Sequence, residues 1–442
     1  MPASDPFSYT VPGMPWNNHE WLFELAVALI QRSGGWGGIR LLVLGLVLAT
    51  ATALAWQIIR RVGVSAALFV LTLFALFCRY KMMPVPQLVS MSMFLAAFAL
   101  FRGSALACSW RRHVCLIATM LVWGNVTAEC FMFLPFVLLD QLALRMQARA
   151  SARRLLDIRL HALLLLLACV APMVNPPWSS ALEYAFAGTS VNRAFNSEFA
   201  SILAPATTVT PFAKLIAIVL MTVYVAWSLV ALIRSRARWS TLRALGPGLL
   251  AVVLAASFER NLWLLLLPAA RMASALHAHA QSHEKNRIAF AACTLSLSVG
   301  LFVGLSIQLH WTPALALSTL SAPSYRSVHL QERALATACL TPLIAREQPA
   351  NVYALRLWAN YLIFRVPQHK VFVDGRNREY PERVHEAAQH ILTGAPDALA
   401  LLNASHTDFV LVPQGWEQTL PVRSGVFRSL AQAPGCVLYG RR

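Results

Sequence analysis

Apolar residues run in ten long stretches between Arg40 and Gln308, each closed by a polar gap rich in arginine. The stretches are Leu41–Ile59, Val64–Phe77, Leu88–Leu100, Val114–Trp123, Phe131–Leu144, Leu160–Val174, Phe212–Ile233, Leu245–Ser257, Leu262–Leu276 and Ile288–Ile307. Crossing the ~30 Å hydrocarbon layer takes about 20 apolar residues as a helix. Several stretches are shorter, but they come in pairs across short polar gaps, as hairpins of helices do. Lipid supplies no hydrogen-bond partner to bare N–H and C=O groups, and a helix satisfies them within itself. The pattern predicts a polytopic α-helical membrane protein of about ten spans.

Beyond Trp311 the pattern changes. Short β-rich runs (Asn351–Leu355, Lys370–Val373, Asp408–Val412, Cys436–Tyr439) alternate with helical ones (Pro381–Leu392, Pro396–Leu402). Such alternation predicts a small α/β layer domain. The chain therefore reads as three parts: a polar, aromatic lead-in over 1–38, a membrane body over 39–310, and an α/β domain over 311–442. The lead-in is read as an extracytoplasmic loop followed by an interfacial helix.

Composition agrees with the membrane reading: 57% of residues are hydrophobic and only 13% charged, against roughly 25% charged in soluble domains. The net charge of +18 would point to nucleic acid in a soluble chain. Its distribution points elsewhere. With the N-terminus outside, sixteen Lys or Arg fall in gaps assigned to the cytoplasm and seven on the other side before the tail. That asymmetry is the positive-inside signature and excludes nucleic acid as the expected partner. It places both termini on the extracytoplasmic side of a multi-pass protein. The segment before Asp5 holds no signal peptide, so the reading expects a further helix upstream.

Six cysteines lie in or beside apolar stretches and read as small buried hydrophobes. Cys339 and Cys436 fall in the tail, where an oxidising compartment would allow them to pair; spacing alone leaves pairing open. No CxxC spacing of the zinc type is present.

Several segments carry a resemblance. Asp5-Pro-Phe-Ser-Tyr-Thr followed by Trp16-Asn-Asn-His19-Glu20-Trp21-Leu22 resembles the first extracytoplasmic loop of bacterial GT-C-type membrane glycosyltransferases, relatives of the dolichyl-phosphate-mannose protein mannosyltransferases. Trp123-Gly124-Asn125-Val126, Asn175-Pro176 and Arg260-Asn261 resemble later family motifs in order. Trp358-Ala-Asn-Tyr-Leu-Ile-Phe-Arg, continued by Val371-Phe-Val-Asp374-Gly375-Arg376, resembles the tail signature. Departures stand beside these matches. Thr127 and Ala128 replace the family's His-Gly, Ala359 and Asn360 replace paired glycines, and the family's preceding helix and acidic motif are not in this sequence.

The resemblance implies transfer of a sugar from a polyprenyl-phosphate donor to an envelope acceptor at the outer face of a bacterial inner membrane, with membrane lipid around it. The alternative is a catalytically inactive relative that binds lipid-linked sugar or assists polysaccharide assembly. Such transfer needs a carboxylate to take the acceptor proton and a cation to stabilise the departing phosphate, a role that a divalent metal fills in some members. The residues that fit are Asp5 and Glu20 as catalytic carboxylates. Trp16, His19, Asn125, Glu129, Arg260, Asp374 and Arg376 fit as substrate contacts; no residue is assigned to a metal.

Each also has a plain structural reading. Asp5 before proline suits an Asx turn. Asn18 caps a helix start with Trp16 and Trp21 at headgroup level. Glu129 lies in a hairpin turn, and Glu259-Arg260-Asn261 is a solvated turn. Asp374 and Arg376 pair locally. His277, His279 and His283 read as a solvated helix end rather than a metal site. Asp140 and Arg271, both deep within stretches, are expected to pair with each other.

Overall fold

The structure is a computed structural model that describes residues 4–15, 18, 20–78, 85–104, 110–147, 162–174, 201, 211–235, 239–280, 284–309, 337–375, 380–416, 421 and 424–442. These form two compact units. The described residues among Asn18–Ala187 and Ser197–Ser321 make the helical unit. Those among Met1–Asn17 and Ala322–Arg442 make the second, so the division falls inside the lead-in, between Asn17 and Asn18.

In the helical unit the described part of each apolar stretch lies almost wholly in helix. The elements are α1 (Trp21–Ile59), α2 (Val64–Cys78), α3 (Pro86–Ser104), α4 (Trp110–Val126), α5 (Leu134–Gln147) and α6 (residues 162–170). They continue with α7 (Pro211–Arg234), α8 (Trp239–Ser257), α9 (Leu266–Ala280) and α10 (Glu284–Leu309). Among the described residues three segments are long and apolar enough to cross a membrane on those grounds alone: Gly37–Ile59, Pro211–Arg234 and Ser240–Ser257.

α1 is broken at Gly35 (φ 56°, ψ −151°), which divides a first helix within the lead-in from the apolar helix Gly37–Ile59. The positive φ there is open to glycine at little steric cost. Asn18 accepts from the Glu20 N–H (3.1 Å) and reaches Glu24, tying down the start of α1. Two stretches expected to be α-helical throughout begin as 3₁₀ segments, Ala128–Phe133 and Glu259–Leu265.

The bundle core is aromatic. Phe94 on α3 sits edge-on to Trp123, Phe133, Phe136 and Trp263 at centroid separations of 5.1–6.1 Å, an arrangement that adds about 0.5–1.5 kcal/mol per pair beyond burial. Several polar side chains inside the unit are tied to one another. The Trp123 indole donates to Ser90 Oγ (2.9 Å), and Thr50 meets Ser92. Asp140, almost fully buried, takes a two-point contact from Arg243: Nε to Oδ1 at 2.7 Å and a second guanidinium nitrogen to Oδ2 at 3.3 Å. The expected Asp140–Arg271 pair is therefore corrected. α5 packs along α8, which carries Arg243, while Arg271 on α9 is exposed.

The second unit is a three-layer α/β/α domain. Its sheet has the order β2-β1-β3-β5-β4, with β1 (Asn351–Ala354), β2 (Lys370–Val371), β3 (Phe409–Val412), β4 (Phe427–Ala433) and β5 (Cys436–Arg441). β2, β1 and β3 run parallel, while β3, β5 and β4 are antiparallel. β3 is buried along its whole length, which explains its uninterrupted apolar Phe-Val-Leu-Val. Alternate strand residues feed two cores. Val352, Leu411 and Leu438 pack with α11 (Thr337–Ile344) and α12 (Arg356–Arg365). Tyr353, Val410 and Tyr439 pack with α13 (Glu382–Thr393) and α14 (Ala398–Ala404).

Two features of this domain were not legible as elements. β4 went unread because its exposed middle, Arg-Ser-Leu-Ala-Gln, has no clear alternation. The lead-in adds to the sheet edge: Ser8 bridges Val371 in parallel, Val371 N–H donates to Phe7 O (2.8 Å), and Tyr9 N–H donates to Val371 O (3.3 Å). Cys339 on α11 and Cys436 on β5 are joined by a disulfide, their Cα atoms 6.4 Å apart.

Candidate functional site

The sequence motifs sort onto the two units. In the helical unit they gather at one end of the bundle, where α4 finishes. Gly124 sits against the 3₁₀ turn Ala171–Met173, and a Cβ there would collide with the Pro172 backbone. The next residue, Asn125, ties three segments: its Oδ1 accepts from the Trp21 indole (2.9 Å), and its Nδ2 donates to Leu121 O (2.8 Å) and Val174 O (2.9 Å). The Trp-Gly-Asn motif thus locks the start of α1 and the end of α6 onto α4, and the Asn125 amide is already engaged with protein on both its atoms.

Through Trp21 the same contact carries Glu20, half-buried at the start of α1, to this end of the bundle. Glu129 follows close by in the 3₁₀ segment. Thr127 accepts from the Glu129 N–H (3.3 Å), and the Glu129 side chain is half-buried rather than fully in water. Arg260 lies in the second 3₁₀ segment, with its side chain outside the described residues. Its neighbour Asn261 is buried, with only a long contact from Nδ2 to Leu254 O (3.5 Å) and no hydrogen bond to Oδ1 among the described residues.

In the α/β unit the first motif and the tail signature meet. Asp5 Oδ1 accepts from the Phe7 N–H (2.9 Å), and the Asp5 N–H donates to Met14 O (2.8 Å). This is the Asx turn that the Asp-Pro sequence suggested. Three residues on, Ser8 pairs with Val371, and β2 leads to Asp374. Because that pairing is parallel, Asp5 precedes the bridge and buried Asp374 follows it.

At Gly375 the chain passes against α12: Gly375 N–H donates to Asn360 Oδ1 (2.9 Å), and a Cβ at Gly375 would run into the same amide. Asn360 stands where the resembling family has glycine, so this departure has its own structural use: it holds the turn after Asp374. Trp358, Ala359 and Leu362 face the core, while Phe364 is 47% exposed. Trp16, His19, Arg376, His283 and Asn175-Pro176 lie outside the described residues.

Titration in this unit follows burial and hydrogen bonding. Burial pushes the phenols of Tyr9 and Tyr353 up, and it lowers the Arg356 guanidinium. The hydrogen bond from His390 holds the Asp397 carboxyl below its ordinary range. Among the described residues no group of three or more His, Cys, Asp or Glu is placed to hold a metal ion.

No protein-family model matches the chain, and no curated protein matches it by sequence. Solved structures do match. The apo oligosaccharyltransferase of Archaeoglobus fulgidus superposes with a TM-score of 0.55 at 10% identity, covering 97% of this chain and 66% of that one. The fold is GT-C-like. The oligosaccharyltransferase AglB of the same organism, solved with an inhibitory peptide and a dolichol-phosphate, gives a TM-score of 0.53 at 12% identity, covering 93% of this chain and 63% of that one. A third structure, the Archaeoglobus fulgidus enzyme in complex with Zn and sulfate, matches at 0.50 and 11% identity, over 99% of this chain and 66% of that one. The chain thus spans just under two thirds of the length of these neighbours. With this GT-C-like fold go three helices, among the described residues, of the length and apolarity needed to cross a membrane.

Proposed function

We propose that this protein is a membrane glycosyltransferase that moves a sugar from a polyprenyl-phosphate donor to an envelope acceptor, at the outer face of a bacterial inner membrane. About ten spans and extracytoplasmic termini belong to the same proposal. The observation that carries it is the likeness of nearly the whole chain to GT-C-like oligosaccharyltransferase structures, one of which was solved with a dolichol-phosphate. The ordered motifs of the sequence support it.

In this reading Asp5 or Glu20 takes the proton from the acceptor hydroxyl as it attacks the anomeric carbon, and Arg260 stabilises the leaving phosphate as a guanidinium fork. Trp16, His19, Asn125, Glu129, Asp374 and Arg376 are the proposed contacts to sugar, lipid phosphate or acceptor. For Asn125 a direct contact would require exchange of a hydrogen bond that the amide now makes to the protein.

A second reading is an inactive relative that binds lipid-linked sugar. It is favoured by the Asx turn at Asp5 and by Asn360 in place of glycine beside Gly375. Transfer from radiolabelled polyprenyl-phosphate sugars in membranes expressing the full chain separates the two. The transferase reading expects turnover that falls by about 10²–10⁴-fold in either Asp5→Asn or Glu20→Gln. Binding of the labelled donor with no transfer in the wild-type chain establishes the second reading instead.

A further inference from the structure

Between its helices the helical unit holds a cavity of about 810 Å³, within the size range of ligand and cofactor pockets; it reaches from Trp263, in the second 3₁₀ segment, to an arginine-lined end opposite Asn125. Its position follows from chain direction. α4 enters at Arg112, which lines the cavity, and reaches Asn125 thirteen residues later, about 20 Å along the axis at 1.5 Å per residue. The cavity's apolar wall includes Leu54, Ile58, Phe94, Phe98, Tyr224 and Leu267. Four arginines line it as well: Arg61, Arg112, Arg243 and Arg271. Arg243 is bonded to Asp140 and Arg112 has an interaction of its own, while Arg61 and Arg271 have exposed side chains. Among the described residues no carboxylate lines the cavity.

We propose that this cavity is a binding site for an anionic phospholipid, its phosphate held by Arg61 and Arg271 and one acyl chain laid along the apolar wall. The proposal does not depend on the transferase reading: the arginines it uses lie at the other end of the bundle from the motifs of that reading.

Three observations converge on this occupant. Charge comes first: arginines converging on one opening call for an anion, and the guanidinium fork matches phosphate oxygens. Shape comes second. A free inorganic anion has no use for a wall of phenylalanine and leucine, and a neutral lipid has none for the arginines. Depth is the third. Beside the cavity mouth, exposed Trp56 and Trp110 each lie under an adjacent arginine, Arg60 at 5.4 Å and Arg111 at 5.8 Å from the ring centroids. Exposed tryptophans with arginine at helix ends sit at headgroup level. Basic pockets between helices at that level are where anionic headgroups bind.

The site is tested with the full chain in nanodiscs of dioleoyl phosphatidylcholine into which dioleoyl phosphatidylglycerol is titrated. Lipid retained after extraction is counted by native mass spectrometry. The expected result is retention of one phosphatidylglycerol in preference to phosphatidylcholine. The double variant Arg61→Gln, Arg271→Gln should weaken it by tenfold or more, on the scale of about 1 kcal/mol per arginine. Leu267→Trp fills the apolar wall while keeping every charge, and should also abolish retention. Arg145→Gln, at the same end of the bundle but not lining the cavity, should leave it unchanged.

Equal retention of the two lipids overturns the proposal, as does persistence of selective binding in both cavity variants. Competition by inorganic phosphate at comparable concentration would make the site a simple anion site. Displacement by geranylgeranyl phosphate more readily than by phosphatidylglycerol would make it a polyprenyl-phosphate site. Either result replaces the proposed occupant.

Discussion

The two units hold themselves together by different means. In the helical unit each segment satisfies its own backbone, so the helices are joined by apolar packing and by a few polar contacts of high specificity: Asp140 to Arg243, Trp123 to Ser90, and Asn125 to Trp21 and Val174. In the α/β unit the backbone itself joins remote parts of the chain. Phe7 to Tyr9 pair with β2, β1 pairs with β3 across more than fifty residues, and a disulfide links α11 to β5. The lesson is that loss of one side chain should act locally in the α/β unit, where ladders distribute the load. In the helical unit it should act through charge or close packing, where single contacts decide which helices meet.

The largest effect expected is on the α/β unit's covalent link. Replacing Cys339 and Cys436 together with serine frees a loop of sequence separation 97 and should cost about 3–4 kcal/mol. Hydrogen exchange of the whole chain in detergent should show protection lost over α11 and β5 while α4 and α8 are unchanged. Equal loss in both units would break the comparison.

Asp140→Ala leaves the Arg243 guanidinium without its carboxylate and should cost about 2–3 kcal/mol, at the low end of the buried-pair range because Arg243 is partly exposed. Thermal unfolding in detergent measures it. The double replacement Asp140→Leu, Arg243→Leu should recover most of the loss, and failure to recover would show that the pair is not acting through its charge.

Gly124→Ala comes next. The added methyl must move the Pro172 backbone, an overpacking cost of about 1–3 kcal/mol, offset by up to ~1 kcal/mol of helix propensity. A net loss of about 1–2 kcal/mol is expected in the same melt, and a neutral result would show that the α4 contact with the Ala171–Met173 turn yields easily.

Tyr9→Phe removes the hydroxyl contact to Thr407 Oγ1 (2.8 Å) but keeps the edge-on packing against Phe372. It should cost about 1 kcal/mol, read as faster exchange at the Tyr9 and Val371 amides.

The smallest effect is on pH dependence. Asp397 is exposed, and the His390 hydrogen bond lowers its pKa in the folded chain. Its contribution is therefore present above the ordinary carboxylate pKa of about 4 and is lost as pH falls through the lower folded value. Asp397→Asn should flatten the acid limb of α/β-unit stability slightly; an unchanged limb removes the pair from the account.

What could be read from the chain alone follows the locality of the forces. Helix hydrogen bonds join residues four apart, so each apolar stretch announced a helix among the described residues, and lipid made helix the economical reading of each. The parallel core strands β1 and β3 announced themselves by short apolar runs, and the Asx turn at Asp5 by its Asp-Pro-Phe. Partner choice was decided only in three dimensions. Arg243 and Arg271 are both arginines within apolar helices, and the packing of α5 along α8 selects Arg243 for Asp140. Likewise the lead-in, hundreds of residues from β2, is placed beside it by ladder bonds that no local pattern encodes. The arginines of the cavity read as a charge belt in sequence, and only the convergence of α1, α4 and α9 turns three of them into one opening. Sequence determines which groups must be satisfied, because that depends on each residue's own chemistry. Tertiary structure decides by whom, because a partner is set by packing between segments that are far apart along the chain.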